Sequence, residues 1–405
     1  MYGSQFIRTF ILGFYIIIFL AIVNSCQRES FSPDQAESFI KFFGSYKKDK
    51  GFDIKSLNDG GYVLVGTSET ENAGTNIMII RTDKYGNEIG DNQQVGGLYD
   101  DHVHSVIVPS SGGFAILGST TVETDDLTLV SNMYLIRTNN LGDVIWTKIF
   151  NQNSNEIGYS LAETSENGFI LIGSTENHDT GKTNIRLIKT NSVGDVVWTR
   201  THGGINDDIG LHIAETKTGY IYTGYTRNWS KSDQPNSDIF VVKTNAIGVV
   251  IYPSTFGTNG DDYGKTIIPH PEGGFLVLGT TSNPSSKVKN IFLAHIDEEN
   301  ISETLWTRSI GGSVSHVAAC MKILPDGGII ITGTQELAED NHTIFLLKTD
   351  SNGNEVFLKT FGGLGHQRAE AVDLAIDGGF VITGSNELGG NSMITLIKTK
   401  ANGEL

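Results

Sequence analysis

The sequence predicts an all-β repeat protein, from a phrase repeated seven times, short strand-like runs and frequent turn glycines. In each copy, a Gly is followed by an aromatic or aliphatic residue, an apolar run and a second Gly. The first glycines of the seven phrases are Gly61, Gly113, Gly168, Gly219, Gly274, Gly328 and Gly379. They are 51 to 55 residues apart, and a constant period of this length indicates an array of equal units.

The second repeat shows the predicted order of elements within a unit. Its runs are short, rich in β-branched and aromatic residues, and bounded by Gly, Asn, Asp and Ser, as strands are. The predicted elements are a strand at 103–109, a turn at 110–113, strands at 114–121 and 133–138, a turn at 139–143 and a strand at 144–150.

Seven such four-stranded units predict a seven-bladed β-propeller, with antiparallel sheets packed around a central channel. A single small sheet buries too little apolar surface to be stable alone, whereas sheets packed face to face share a continuous core. The 48 glycines agree with about two glycine-dependent turns in each unit. An open β-solenoid is the alternative architecture.

The two ends of the repeat region predict how the ring closes. The last repeat contains a third strand at 393–399 and a turn at 401–403, but no fourth strand follows. Residues 38–43 match the fourth strand of the sixth repeat, at 355–361. We therefore expect residues 38–43 to complete the seventh blade beside 393–399, so that the propeller spans residues 38–405.

The repeated pattern Gly-Gly-Phe, Gly-Ser/Thr, then apolar-Lys-Thr-Asp/Asn, with Gly and Trp following, resembles the bacterial β-propeller repeat group. Residues 240–248 carry the phrase Phe-x-x-Lys-x-x-x-x-Gly that seven-bladed members share. The resemblance covers about residues 38–405 and implies the fold, but it implies no particular function. The repeats lack the Trp-Asp ending of WD40 blades and the Asp box of sialidase-like enzymes.

The N-terminal residues resemble the signal peptide of a bacterial lipoprotein. Arg8 precedes an apolar stretch at 10–23, and a small residue stands directly before Cys26, as in a lipobox. The resemblance implies that residues 1–25 are removed, that Cys26 is lipidated, and that 26–37 form a tether. The implied location is the cell envelope, where the lipid would anchor the protein to the outer membrane on its periplasmic or surface side. An uncleaved membrane anchor is the alternative.

The composition narrows the classes of partner. A formal net charge of −17 argues against nucleic acid and against charge-driven binding to anionic lipids. Cys320 has no second cysteine available within the predicted mature domain, which argues against a disulfide framework and favours a small buried apolar side chain. No cofactor is expected. A bound divalent cation such as calcium is left open, because clustered carboxylates can coordinate one.

The loops between the second and third strands differ in length and sequence, as binding loops on a rigid scaffold do. They contain thirteen Asp or Glu and five Lys or Arg, so we expect an acidic face that binds a basic or neutral polar partner. Trp229 lies in one of these loops and is a candidate contact for a sugar ring or a protein. The segments are 69–76, 122–132, 176–184, 227–238, 282–290, 335–342 and 386–391.

A second series lies twelve residues before each first glycine and is mostly acidic. Its members are Asp49, Asp101, Glu156, Asp207, Asp262, His316 and Gln367. Either these side chains surround the mouth of the channel and contact a ligand, or each accepts hydrogen bonds that fix a neighbouring loop. The candidate ligand contacts are Asp101, Asp207, Asp262, His316 and Trp229.

A third series is basic and lies on the third strands. Its regular repetition predicts a structural role rather than a site. Its members are Arg81, Arg137, Lys189, Lys243, His295, Lys348 and Lys398.

The sequence contains no recognisable catalytic motif, which favours a lipid-anchored binding or scaffold module for a protein or glycan of the cell envelope. The alternative is a carbohydrate-active enzyme with paired carboxylates among Asp101, Asp207 and Asp262. Such a pair needs a separation of about 5 Å or about 6.5–9.5 Å and unequal surroundings. A purely structural assembly subunit is a third interpretation.

Overall fold

Strands make up most of the chain that the computed structural model describes, which is residues 37–45, 47–70, 74–150, 154–228, 236–338, 341–363 and 365–405. These residues contain 28 strands and no helix, so the predicted all-β class is confirmed. Accordingly, none of them belongs to a helix with the length and hydropathy needed to span a bilayer. The predicted signal peptide, Cys26 and residues 26–36 of the predicted tether lie outside the described residues.

The first strand, β1, is Phe39–Phe43. Sheet 1 consists of β2 (Lys50–Ser56), β3 (Tyr62–Glu69), β4 (Thr75–Thr82) and β5 (Gln93–Val95). Sheet 2 consists of β6 (Asp101–Ile107), β7 (Phe114–Glu123), β8 (Leu129–Thr138) and β9 (Val144–Phe150). Sheet 3 consists of β10 (Glu156–Glu163), β11 (Phe169–Asn177), β12 (Lys182–Thr190) and β13 (Val196–His202).

Sheet 4 consists of β14 (Asp208–Thr216), β15 (Gly219–Thr226), β16 (Asp238–Asn245) and β17 (Val250–Phe256). Sheet 5 consists of β18 (Tyr263–Pro269), β19 (Phe275–Ser282), β20 (Lys289–Ile296) and β21 (Thr304–Ile310). Sheet 6 contains β22 (Ser315–Ile323), β23 (Ile329–Ala338), β24 (Asn341–Thr349), β25 (Glu355–Phe361), β26 (Gly365–Leu374), β27 (Phe380–Leu388) and β28 (Asn391–Thr399), together with β1.

Sheets 1 to 5 are antiparallel, with their strands paired in chain order. Sheet 6 has eight strands because two four-stranded halves meet in a short parallel pairing of β24 with β26. The first half is β22–β25, and the second is β26–β28 with β1 as its outer strand. β1 pairs antiparallel with β28, in a register that runs from Phe39↔Lys398 to Phe43↔Ile394.

The core lies between consecutive sheets, because the second and third strands of each unit are apolar on both faces. Val63 and Val65 of sheet 1 pack with Val103 of sheet 2, and all three are fully buried. The second half of sheet 6 packs against sheet 1 in the same way, through a cluster that contains Val381 and Leu64. Burying one such side chain contributes about 1.5–3 kcal/mol. The core is therefore divided into similar layers between neighbouring sheets.

Each innermost strand contains a β-bulge in its first half, where its register with the second strand shifts by one residue. The extra residue has no partner in the ladder, and a bulge of this kind redirects its side chain. We call these seven the bulge residues. They are Phe52, His104, Tyr159, Leu211, Lys265, Ala319 and Glu370.

The bulges explain the second glycine of the repeated phrase. Gly384 pairs with Ala369, directly beside the bulge of β26. A Cβ at Gly384 would lie 1.8 Å from the carbonyl oxygen of Arg368, and one at Gly118 would lie 1.9 Å from that of His102. Only a residue without a side chain permits this approach of the two backbones. The repeated glycine therefore indicates a bulge in every unit.

Candidate functional site

Asp101 and Asp262, two predicted ligand contacts, are fully buried beneath the loops that precede their strands. The Asp101 carboxylate accepts a hydrogen bond of 2.7 Å from the backbone N–H of Gly97. The Asp262 carboxylate accepts one of 2.9 Å from the N–H of Ser282. Burial raises the pKa of both carboxyl groups. This geometry agrees with the loop-fixing interpretation and leaves neither side chain in contact with solvent.

Asp207 does not occupy the position equivalent to Asp101, because the turn before Gly219 is one residue shorter than the turn before Gly113. The equivalent residue is Asp208, which is fully buried and accepts a 2.9 Å hydrogen bond from the N–H of Gly204. The equivalence that residue counting predicted for Asp207 is therefore corrected by one residue.

The Asp207 side chain lies instead at the surface, where it is 25% exposed. Its carboxylate is 3.6 Å from Lys182 Nζ and 3.7 Å from Arg227 Nη1, and it accepts a 3.1 Å hydrogen bond from the N–H of Thr183. Asp207 is therefore available to a partner that approaches the loops.

His316, the fourth candidate, is buried beside the loop between sheet 5 and sheet 6. Its Nδ1 lies 3.0 Å from the carbonyl oxygen of Val314, and its Nε2 lies 3.1 Å from Gln335 Nε2. Burial lowers the pKa of the imidazole. Trp229, the fifth candidate, lies outside the described residues.

Six of the seven members of the basic series hold the turn between the first and second strands of their own sheet. Arg137 Nη1 donates to the carbonyl oxygens of Phe114 and Thr138, at 3.0 and 2.7 Å. Lys189 pairs with Glu166 at 2.8 Å, and Lys348 and Lys398 pair with Asp326 and Asp377 at 2.9 Å. Arg81 pairs with Asp59, and His295 Nε2 lies 2.8 Å from the carbonyl oxygen of Gly273. These contacts join parts of one sheet, apart from Lys243, whose Nζ donates to a carbonyl oxygen in sheet 5. The structural role that repetition predicted is therefore observed.

A cavity of about 250 Å³, open to solvent, lies between the innermost strands of the described residues, and all seven bulge residues line it. Sheets 1 to 3 contribute an aromatic half. The ring centroids of Phe52 and His104 are 5.3 Å apart, and those of His104 and Tyr159 are 5.0 Å apart. The other four bulge residues are Leu211, Lys265, Ala319 and Glu370.

Sequence reasoning missed this set because its members differ from repeat to repeat and form no recurring letter. The constant neighbour is the second glycine of each phrase, which marks the bulge but not the side chain it redirects. Only a prediction of strand register around that glycine could have pointed to the cavity from the sequence.

Two lysines that line the cavity beyond the bulge residues, Lys55 and Lys322, are each paired with a carboxylate. Asp53 lies 2.6 Å from Lys55 Nζ and accepts a 2.9 Å hydrogen bond from the N–H of Val106 in sheet 2. Asp373 lies 3.6 Å from Lys322 Nζ and accepts one of 2.8 Å from the N–H of Ser56 in sheet 1. Both carboxylates therefore neutralise a lysine and also connect neighbouring sheets.

Lys265 and Glu370 differ from these pairs, since neither makes a hydrogen bond or ion pair with any described residue. Burial raises the pKa of Glu370, and the positive charge of Lys265 offsets part of that rise. Burial also raises the pKa of the Cys320 thiol, so it is a weak nucleophile near neutral pH. Within the described residues, no three His, Cys, Asp or Glu side chains converge in a way that could hold a metal ion.

His104 and His212 predict a loss of stability in acid. Burial, reinforced by nearby positive groups, lowers the pKa of each imidazole from 6.5 to about 4. Between pH 6.5 and 4 the unfolded chain binds protons that the folded chain does not, so stability falls as the pH falls through this window. At 1.36 kcal/mol per pKa unit, we expect a loss of up to about 3 kcal/mol for each histidine.

Urea unfolding of the wild type and of the variant His104→Asn/His212→Asn at pH 7 and pH 4.5 measures this contribution. We expect the variant to lose less stability than the wild type between the two pH values. The exposed His178→Asn is the control and should behave as the wild type does. Equal losses in the wild type and the double variant would contradict the assignment.

Comparisons with known proteins support the fold. No protein-family model matches the chain. The regulatory protein FlaEY of Caulobacter vibrioides is 25% identical over 194 residues, which is 45% of this chain and 19% of that protein. This chain therefore spans about a fifth of the length of the curated relative it matches.

Among solved structures, the β-propeller domain of the Trilobed protease from Pyrococcus furiosus is 10% identical with a TM-score of 0.50. The match covers 89% of this chain and 96% of that one. YCF48 from Cyanidioschyzon merolae is also 10% identical, with a TM-score of 0.47 and coverage of 89% and 98%. Likeness at this identity shows the fold alone. Together with the observed four-stranded sheets, the match to the Trilobed protease domain confirms the predicted β-propeller repeat architecture.

Proposed function

We propose that this chain is an exported, lipid-anchored binding module, attached to the cell envelope through Cys26, whose propeller contacts a protein or glycan through its acidic loop face. We further propose that it has seven blades, closed into a ring by β1. Seven apolar clusters support this architecture, because each joins two neighbouring four-stranded units and one joins the last unit to the first.

The observation that carries the binding proposal is the tip of the hairpin between β7 and β8. Leu127 is 78% exposed there and has a φ of 61°, in the left-handed region that glycine normally occupies in such turns. An exposed leucine in this conformation buries little apolar surface and costs backbone energy. Strain of this kind is commonly found at functional positions. A contact with a partner would account for it.

The surroundings of Leu127 favour a protein that carries apolar and basic groups. Leu129 and Leu98 are 52% and 79% exposed. The loop that holds Leu98 is joined to the hairpin by a hydrogen bond from the Tyr99 hydroxyl to Glu123 and by one of 3.0 Å from the N–H of Thr121 to the carbonyl oxygen of Asp100. We call Leu98, Leu127, Leu129 and the exposed Asp125 and Asp126 the leucine patch. Exposed apolar groups flanked by charge are typical of protein contact sites.

A quantitative pull-down from native membranes tests the proposal. We expect Leu127→Ala and Asp125→Asn/Asp126→Asn to lose most of a partner that the wild type retains, and higher salt to weaken its capture by screening. The control is Leu141→Ala, which alters another exposed turn leucine, on a turn between third and fourth strands. Equal capture by all four proteins, or a loss with Leu141→Ala alone, would contradict a role for the leucine patch.

A further inference from the structure

The bulge residues differ from unit to unit, although the strands that carry them are equivalent. The residues that fix sheet packing recur from unit to unit, as the buried aliphatic side chains and the two glycines show. The bulge position instead carries an aromatic, aliphatic, basic, small or acidic side chain. Packing between equivalent sheets does not require such variety. The variety instead makes the cavity wall apolar in one part and charged in another.

That polarity has two halves. Phe52, His104 and Tyr159 form a continuous wall of rings on one side. Lys265 and Glu370 come from the other side, from strands whose intervening neighbour carries Ala319. Alanine has the smallest of the seven side chains, which leaves room between the lysine and the glutamate.

The charges of Lys265 and Glu370 are not explained by the stability of the fold. The other two lysines that line the cavity have carboxylates at 2.6 and 3.6 Å. Lys265 and Glu370 have no hydrogen bond or ion pair with the described residues. Both side chains are partly buried, and they attract each other without a direct ion pair, so each charge is compensated only in part. One anionic and one cationic group on a ligand would supply the missing partners.

We propose that the cavity binds a small zwitterion, an α-amino acid with an apolar side chain. Its carboxylate faces Lys265, its ammonium group faces Glu370, and its side chain lies against Phe52, His104 and Tyr159. The cavity volume of about 250 Å³ equals roughly eight waters at about 30 Å³ each, which suits a ligand of about ten non-hydrogen atoms. Charge-assisted hydrogen bonds to both ends would fix its orientation.

A neutral sugar fits these features less well. Rings that line a cavity can stack on a sugar, but a sugar without formal charge leaves both Lys265 and Glu370 without an ionic partner. An apolar amino acid can pack against the aromatic side chains and pair with both charges at the same time. The site is separate from the leucine patch, so the two proposals can fail independently.

Isothermal titration calorimetry with the full-length protein tests the assignment through three related probes. L-leucine carries both charges, N-acetyl-L-leucine lacks the ammonium group, and L-leucinamide lacks the carboxylate. We expect L-leucine to bind at least tenfold more tightly than either derivative. No detectable binding of L-leucine or L-phenylalanine, equal binding of all three probes, or preferential binding of glucose would overturn the proposal.

Two variants assign each charge of the ligand to a residue. Glu370→Gln should lose at least tenfold in affinity for L-leucine. It should then bind L-leucine and N-acetyl-L-leucine with equal affinity. Lys265→Gln should lose the same factor and should no longer distinguish L-leucine from L-leucinamide. Glu370→Gln removes a partly buried charge that has no direct ion pair with a described residue, so we expect the variant to be at least as stable as the wild type. Its loss of binding is then not a loss of folding.

Matched controls make the same chemical changes on exposed residues away from the cavity. Glu355→Gln and Lys217→Gln should bind L-leucine as the wild type does. Leu127→Ala should also bind it normally, whatever happens to partner capture. Loss of L-leucine binding in either control, or retention in both cavity variants, would overturn the assignment.

Discussion

Deletion of residues 38–43 is expected to unfold the protein or to lower its melting temperature severely. β1 is the outer strand of the last half-sheet and pairs along its whole length with β28. Without it, β28 presents an unpaired edge that invites aggregation. The deletion also removes Phe43, which lies in the apolar cluster that joins sheet 1 to sheet 6. Thermal unfolding followed by circular dichroism measures the effect.

Point variants show how much of the effect of the deletion comes from the packing of one buried side chain of β1. Phe43 is 5% exposed and Phe42 is 45% exposed, although they are neighbours on one strand. We expect Phe43→Ala to cost about 3–5 kcal/mol, as buried phenylalanine truncations do, and Phe42→Ala to cost under about 1 kcal/mol. A wild-type melting temperature for the deletion, or equal effects of the two point variants, would show that β1 does not hold the last sheet to the first.

Among Gly→Ala substitutions at the described glycines, we expect Gly384→Ala to lower the free energy of unfolding most. The new Cβ would lie 1.8 Å from the carbonyl oxygen of Arg368 and 2.8 Å from the Cα of Ala369. Both obstacles are backbone atoms, so relief requires the bulge of β26 to open. Overpacking of a well-packed site typically costs about 1–3 kcal/mol, and we expect the upper end of that range or more.

The matched control is Gly312→Ala, since a Cβ there meets no atom within 4 Å. It should leave the free energy of unfolding within about 0.5 kcal/mol of the wild type, as surface substitutions usually do. Because the bulge of β26 carries Glu370, Gly384→Ala should also weaken L-leucine binding in the fraction that folds. Equal stabilities for Gly384→Ala and Gly312→Ala in urea would refute the requirement for close backbone approach.

The loop carboxylates show how a repeated residue can be recognised correctly and its role left open. Asp101 and Asp262 were visible in the sequence as members of a series, and their regular repetition favoured a structural role while leaving a ligand site open. Their complete burial and the hydrogen bonds to Gly97 and Ser282 were decided by the path of the loops above them. For Asp207, one residue fewer in a turn was enough to place the neighbouring Asp208 in the buried position instead.

The sequence by itself determined the period, the strand-rich unit and the all-β class. These follow from local chemistry, since alternating β-branched runs form strands and glycine permits tight turns wherever they occur. It also determined where glycine had to stand, as Gly118 and Gly384 show. A backbone conformation that only glycine permits, repeated in every unit, places a glycine at the same position of every repeat.

Only the tertiary structure decided which side chains share the central cavity. Phe52, His104, Lys265 and Glu370 are far apart along the chain, and nothing local connects them. They meet because each innermost strand redirects one unpaired residue at its bulge, and because the packing of successive sheets brings the seven bulges to one place. Convergence of this kind depends on the whole arrangement of sheets, so no window of sequence contains it.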